Sequence, residues 1–194
     1  MTGDRVLAAL EPVVDLFERL AIPYQIGGSV AASTFGEARS TLDVDLVAAI
    51  EPREVAAITA ALRGTYYADE ELILDAVRHR SSFNLIYLPQ YFKVDVFVVK
   101  DTAYAQGALH RHTLARLANS GSTREFRFAT PEDVVLSKLD WYRKGGETSE
   151  RQWSDILGVL RVQAGKLDLP YLRQWAVEIA VTDLLARALA DAAS

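Results

Sequence analysis

Residues 41–47 read Thr-Leu-Asp-Val-Asp-Leu-Val, and this alternation constrains the chain more than any other stretch. Apolar side chains at every second position mark a strand with one buried face. Asp43 and Asp45 then share the opposite face, because residues i and i+2 of a strand point the same way. Two neighbouring carboxylates repel, so unless exposed they need a cation between them or a proton on one. Together with phosphate oxygens such a pair suits magnesium, which takes hard oxygen ligands. A third acid, Asp95, interrupts the otherwise apolar run Val94-Asp-Val-Phe-Val98, where valine or threonine is the ordinary choice.

Around that strand the first half mixes helix and strand signals. Leu7, Leu10, Val14, Phe17 and Leu20 recur at helical spacing, and Pro23 ends the helix they predict. Residues 24–26 start a strand that Gly27-Gly28-Ser29 stops, and 30–35 read as a short helix. Further helices are predicted over 53–62 and 69–78, and an antiparallel hairpin over 82–88 and 93–99. Beyond residue 100, one strand over 124–128 precedes a run of helices. Thr130-Pro-Glu-Asp133 is a strong helix start: a cap, a first-turn proline and two acids at the positive end. That helix runs to Lys144, turns at Gly145-Gly146, and restarts at Ser149 to make a helical hairpin. Two more helices begin at Pro170 and Thr182. Leu184, Leu185 and Leu189 on the last of them serve either internal packing or a dimer contact, which leaves the oligomeric state open. The expected organisation is an α/β (α+β) core over residues 1–100, a mixed sheet flanked by helices, and a mainly helical part over 101–194 that completes a cleft.

Composition narrows the function. With 194 residues, 50% hydrophobic and 24% charged, the chain is globular. A formal charge of −5 has the wrong sign for nonspecific coating of nucleic acid, and the excess acid lies in the first 100 residues. The absence of cysteine excludes disulfides, thiolate-zinc and iron–sulfur sites and cysteine nucleophiles, and makes the cytoplasm the expected compartment. Glu11, Asp15, Glu18 and Arg19 break up the N-terminal stretch, so no signal peptide is expected. Apolar runs such as 55–62 fall far below the roughly 18 residues of a membrane span, so no membrane partner is expected.

Gly27-Gly28-Ser29 lies between a strand and a helix, where backbone amides and the serine hydroxyl can receive a phosphate at the helix start. The alternative is a tight turn with a serine cap. In order, the strand, Gly27-Gly-Ser29, the helix, Arg39-Ser-Thr41, the Asp43-Val-Asp45 strand and Asp95 on a later strand resemble the polymerase-β-like nucleotidyltransferase superfamily. Gly27-Gly-Ser-Val-Ala-Ala32 followed by Gly36, Arg39, Thr41 and Asp43-Val-Asp-Leu46 looks like its small bacterial AbiEii-type members. Pro131 to Lys138 and Arg151-Gln-Trp-Ser-Asp155 resemble their downstream lysine and R-x-x-x-D elements.

The resemblance implies transfer of a nucleoside monophosphate from a nucleoside triphosphate to a hydroxyl, with release of pyrophosphate. Asp43 and Asp45 would hold two magnesium ions, or manganese in their place, and Asp95 would share the one that activates the hydroxyl. Gly27, Gly28 and Ser29 would grip the β- and γ-phosphates. Lys138 would bind a triphosphate oxygen, Arg39 would neutralise phosphate or hold the acceptor, and Thr41 belongs to the same motif. Lys138 and Asp155 each lie about 9 Å along a helix from the hairpin turn, so they are placed to face each other, as an orienting pair or a plain ion pair.

The acceptor stays open: relatives modify RNA, proteins or small molecules, and some act beside an antitoxin. The basic stretch His110-Arg-His112 with Arg116, Arg124 and Arg127 is either a solvated surface or a guide for a polyanionic acceptor such as RNA. Trp141, Tyr142 and Trp153 are core residues or a base-stacking surface. Two rival functions use the same residues: a catalytically silent nucleotide- or partner-binding protein, antitoxin-like or regulatory, and a metal-dependent phosphohydrolase.

Overall fold

The computed structural model describes residues 2–193. Its frame is one seven-stranded mixed sheet in the order β3-β4-β5-β2-β1-β7-β6. The strands are β1 (Tyr24–Ile26), β2 (Asp43–Ala48), β3 (Tyr66–Tyr67), β4 (Ser82–Tyr87), β5 (Phe92–Val98), β6 (His112–Arg116) and β7 (Glu125–Ala129). β2 runs parallel to β5 and β1 parallel to β7, while the remaining neighbours are antiparallel. The hairpin predicted from 82–88 and 93–99 is therefore present as β4–β5, and the alternating strand sits at the centre of the sheet.

Alternation sorts the two faces. Val44, Leu46 and Ala48 of β2 and Val94, Val96 and Val98 of β5 are buried on one of them. Helix α1 (Thr2–Arg19) covers that face: it packs on β2 and β5, Arg5 lies over the Phe92 ring, and the Tyr66 hydroxyl donates to the Ala9 carbonyl at 2.8 Å. Helices α3 (Val55–Leu62) and α4 (Glu70–Arg78) extend the same layer.

The other face carries Asp43, Asp45, Lys93, Asp95 and Phe97, and is partly covered by α2 (Gly28–Phe35), α6 (Pro131–Lys144) and α7 (Glu150–Val162). The predicted caps are in place: the Thr130 hydroxyl accepts from the Asp133 amide at 3.2 Å and the Ser149 hydroxyl from the Gln152 amide at 3.3 Å. Helices α8 (Leu169–Glu178) and α9 (Thr182–Ala193) pack against α6 and α7. Leu184 and Leu185 are buried in that packing and Leu189 lies against it, so the internal alternative holds for these leucines.

Three elements were absent from the sequence reading: β3, helix α5 (Ala103–His110) and β6. The sheet also continues past residue 100, since β7 hydrogen-bonds beside β1 with Ile26 opposite Phe128. The C-terminal part is helical after β7, as expected, and before it adds β6, so that it supplies the edge hairpin β6–β7 as well as the helices.

Candidate active site

The site begins with a glycine. Gly28 adopts φ +56°, and a Cβ there would lie 1.6 Å from Asp45 Oδ2, so only glycine lets the start of α2 come this close to β2. The Gly27 amide donates to the Asp45 carbonyl at 2.9 Å, and the Ser29 amide donates to the Asp45 carboxylate. Turn and strand thus hold each other by backbone contacts that any other side chain at residue 28 would block.

Asp43 and Asp45 share the cleft face of β2, as expected, and the parallel register places Asp45 beside Asp95 and Asp43 beside Lys93. Thr41 donates to Asp43 Oδ1 at 2.8 Å and so fixes that carboxylate. Burial, then the charges of Asp43 and Asp95, push the Asp45 carboxyl up to about 6, against the opposing pull of Lys138 and the Ser29 amide. Asp45 is thus a buried carboxyl whose charge is disfavoured by the two carboxylates beside it.

The opposite wall comes from the helical hairpin. Asp155 on α7 receives two hydrogen bonds from Arg39, Nε to Oδ1 and Nη2 to Oδ2, both at 2.7 Å. Lys138 on α6 donates to the same Oδ2 at 2.8 Å, and Arg39 Nη2 also reaches the Ser29 hydroxyl at 2.6 Å. Burial opposes the Asp155 charge, but these two cations together hold its carboxyl below the usual range. Arg39 is pushed up chiefly by its bond to Asp155, with Asp43 and Asp45 adding to it, so it faces the carboxylates as a permanent cation. The expected facing of Lys138 and Asp155 is present, and Arg39 joins them in one network.

Asp95 lies on the same face of the sheet, in register with Asp45. Its Oδ2 accepts from Lys93 Nζ at 2.6 Å, and among the described residues no group of three or more His, Cys, Asp or Glu side chains is gathered to hold a metal ion. Lys93 was missed in the sequence although Lys93-Val-Asp95 has the same i, i+2 spacing that flagged Asp43 and Asp45. Asn84 on β4 is exposed and in register with Asp95. Trp141 is 51% exposed and meets Phe97 edge-on with centroids 5.8 Å apart, which places it at the rim of this face and not in the core. Tyr142 is buried.

In the basic stretch, His110, His112, Arg116 and Arg127 are exposed, and two arginines are engaged with the rest of the fold. Arg124 pairs with Asp15 at 2.7 Å and Glu18 at 3.2 Å, while Arg111 stacks on the Tyr171 ring at 3.7 Å beside Glu132.

No family model and no curated protein matches this chain. Solved structures do. The antibiotic-resistance factor ANT(2'')-Ia in solution superposes with a TM-score of 0.57 at 16% identity, covering 96% of this chain and 99% of that one. Its crystal structure in complex with adenylyl-2''-tobramycin gives 0.55 at 14%, covering 89% and 95%. An antigenic nucleotidyltransferase-like protein from Paracoccidioides brasiliensis gives 0.55 at 15%, covering 97% and 94%. The fold is that of the nucleotidyltransferases. The nucleotidyltransferase likeness spans both halves, so the α6–α7 wall belongs to the shared architecture as much as the sheet does. No helix among the described residues is long and apolar enough to cross a membrane.

Proposed function

We propose that this protein transfers a nucleoside monophosphate from a nucleoside triphosphate to a hydroxyl group and releases pyrophosphate. The observation that carries the reading is the meeting of Asp43 and Asp45 with the start of α2 at Gly28, opposite Lys138 and Arg39. Carboxylates from the sheet and cations from the far wall are the two halves that a triphosphate and its counter-ions require.

The donor set fits magnesium. Asp43, Asp45 and Asp95 offer hard oxygen ligands, and the raised carboxyl of Asp45 marks a site that a divalent cation would relieve. Magnesium bound there would lower the pKa of the attacking hydroxyl and offset charge on the α-phosphate. Gly27, Gly28 and Ser29 would receive the β- and γ-phosphates. Arg39 and Lys138, both anchored on Asp155, would neutralise charge on the leaving pyrophosphate. The acceptor hydroxyl would give its proton to solvent and form its bond to the α-phosphorus as the α–β phosphoanhydride bond breaks opposite it and its electron pair leaves with pyrophosphate, with Thr41 keeping Asp43 aimed.

ATP is the first donor to test, because ANT(2'')-Ia has been seen with an adenylylated product. The AbiEii-type kinship and a place in a toxin–antitoxin pair belong to the same proposal and rest on the motif from Gly27 to Leu46, while a cytoplasmic location rests on the absence of cysteine. The acceptor is RNA, a protein or a small molecule. Calorimetric titration with each of the four ribonucleoside triphosphates and magnesium, beside the Asp43→Asn/Asp45→Asn double variant, is the test. Magnesium-dependent binding lost in the variant supports the site; no binding of any triphosphate moves the silent partner-binding reading ahead.

A further inference from the structure

β2 and β5 place four charged residues on one face in two facing pairs, Asp43 beside Lys93 and Asp45 beside Asp95. Neighbouring strands lie about 4.8 Å apart, and same-face residues along a strand about 7 Å, so the four side chains converge on one small patch. Lys93 occupies a corner of it. Its Nζ is 2.6 Å from Asp95 Oδ2, and its charge is also felt at Asp43 and Asp45. The side chain of Lys93 is 42% exposed and that of Asp95 13%, so the lysine has solvent to turn into while the carboxylate stays mostly covered.

A stabilising role does not account for this arrangement. An ion pair with one half-exposed partner contributes little to folding, and lysine is a poor choice for a central strand. What the pair does do is occupy the third carboxylate: Asp95 is in register with Asp45, close enough for its charge to act there, yet its Oδ2 is taken by the Lys93 ammonium.

We propose that Lys93 is a positioning residue that serves as a built-in counter-cation of Asp95 and must swing off it before Asp95 can ligate a divalent ion. Resting on the transferase reading above, this deepens it: the ion held by Asp43 and Asp45 binds first, and the ion shared with Asp95 binds second and more weakly. Ion loading at the acceptor side is then a separate event, set by a lysine that needs only to rotate into solvent.

The test is a titration of the full chain with Mn2+, followed by electron paramagnetic resonance of the free ion, with and without α,β-methylene-ATP. The wild type is expected to show one tight site and one weaker site. Lys93→Met should tighten the weaker site about tenfold by removing both the competitor and a neighbouring positive charge. Lys93→Arg should stay near wild type, and Asp95→Asn should lose the weaker site in either background. A merely structural lysine would not move ion stoichiometry in a folded variant. A Lys93→Met isotherm superimposable on the wild type overturns the proposal while leaving the transferase reading intact. Failure of every variant and the wild type to bind Mn2+, with or without the nucleotide analogue, overturns both. The predicted shift without nucleotidyl transfer to any acceptor retains the role of Lys93 and removes the transferase reading.

Discussion

At the scale of single residues, Gly28 and Asp45 define each other. Alanine at Gly28 would carry the left-handed strain of φ +56° and drive its Cβ into the Asp45 carboxylate. We expect Gly28→Ala to cost about 1–3 kcal/mol in urea denaturation and to weaken triphosphate binding more than about tenfold. Gly27→Ala is the control: nothing lies within 4 Å of its added Cβ, and its φ of −120° suits any residue. Its stability should stay within about 0.5 kcal/mol of wild type. Asp45 makes a pH prediction. Its native carboxyl titrates at about 6 against an ordinary 3.8, so between these values the native state binds more protons than the unfolded state. Stability therefore falls as pH rises through that window, and the penalty is complete above it. Magnesium removes the penalty only where Asp45 is ionised, so the rise in Tm on adding it should be larger near pH 7.5 than near pH 5. Without magnesium at the higher pH, Asp45→Asn should melt about 2–4 °C above wild type and respond little to the ion. A higher melting temperature for wild type would contradict the repulsion inferred here.

Between elements, Asp155 joins the loop after α2 to both helices of the hairpin. Its side chain is 6% exposed and that of Lys138 8%, so Asp155→Ala strands a buried ammonium as well as releasing Arg39. The expected loss is about 3–5 kcal/mol, with a smaller loss for Asp155→Asn, which keeps the shape and part of the hydrogen bonding. Because the Asp155 carboxyl is held low, the stability it contributes is present above about pH 4 and is lost as pH falls through its native value. Equal denaturation midpoints for Asp155→Ala and wild type would remove the clamp from this account. Much of this wall was legible in the sequence, because caps at Thr130 and Ser149, the Gly145-Gly146 turn and the positions of Lys138 and Asp155 are local signals. β6 was not, because its residues alternate only between exposed and half-exposed, and an edge strand without a buried face leaves no hydrophobic period to read. β3 has two residues and exists through its pairing with β4. Arg39 could be placed in a motif but not on Asp155, since that bond spans the whole fold. Lys93 was readable in principle, from the same two-residue period that revealed Asp43 and Asp45; only its partner required the structure.

For the whole molecule, the sheet decides what counts as a unit. Strand β1 carries the approach to Gly27 and lies between β2 and β7, with Ile26 opposite Phe128 and the Phe35 and Phe128 rings 5.9 Å apart edge to face. A fragment ending at residue 100 keeps Asp43, Asp45 and Asp95 yet loses β7, exposing the β1 edge and the apolar side of α2 that α6 and α7 cover. Unpaired edges of this kind associate with other chains, so we expect that fragment to aggregate or to unfold without cooperativity. A fragment ending at residue 129 restores the edge hairpin and part of the sheet, and should be more soluble. It still lacks Lys138 and Asp155, which leaves Arg39 without its anchor and the cleft with one wall. Triphosphate binding by calorimetry should therefore be absent from both fragments and appear only with the hairpin present. A fragment of residues 1–100 that unfolds cooperatively at the midpoint of the full chain would show that the α/β half is self-sufficient. The single sheet predicts the opposite, because β1, which leads into Gly27, is held between β2 from before residue 100 and β7 from beyond it.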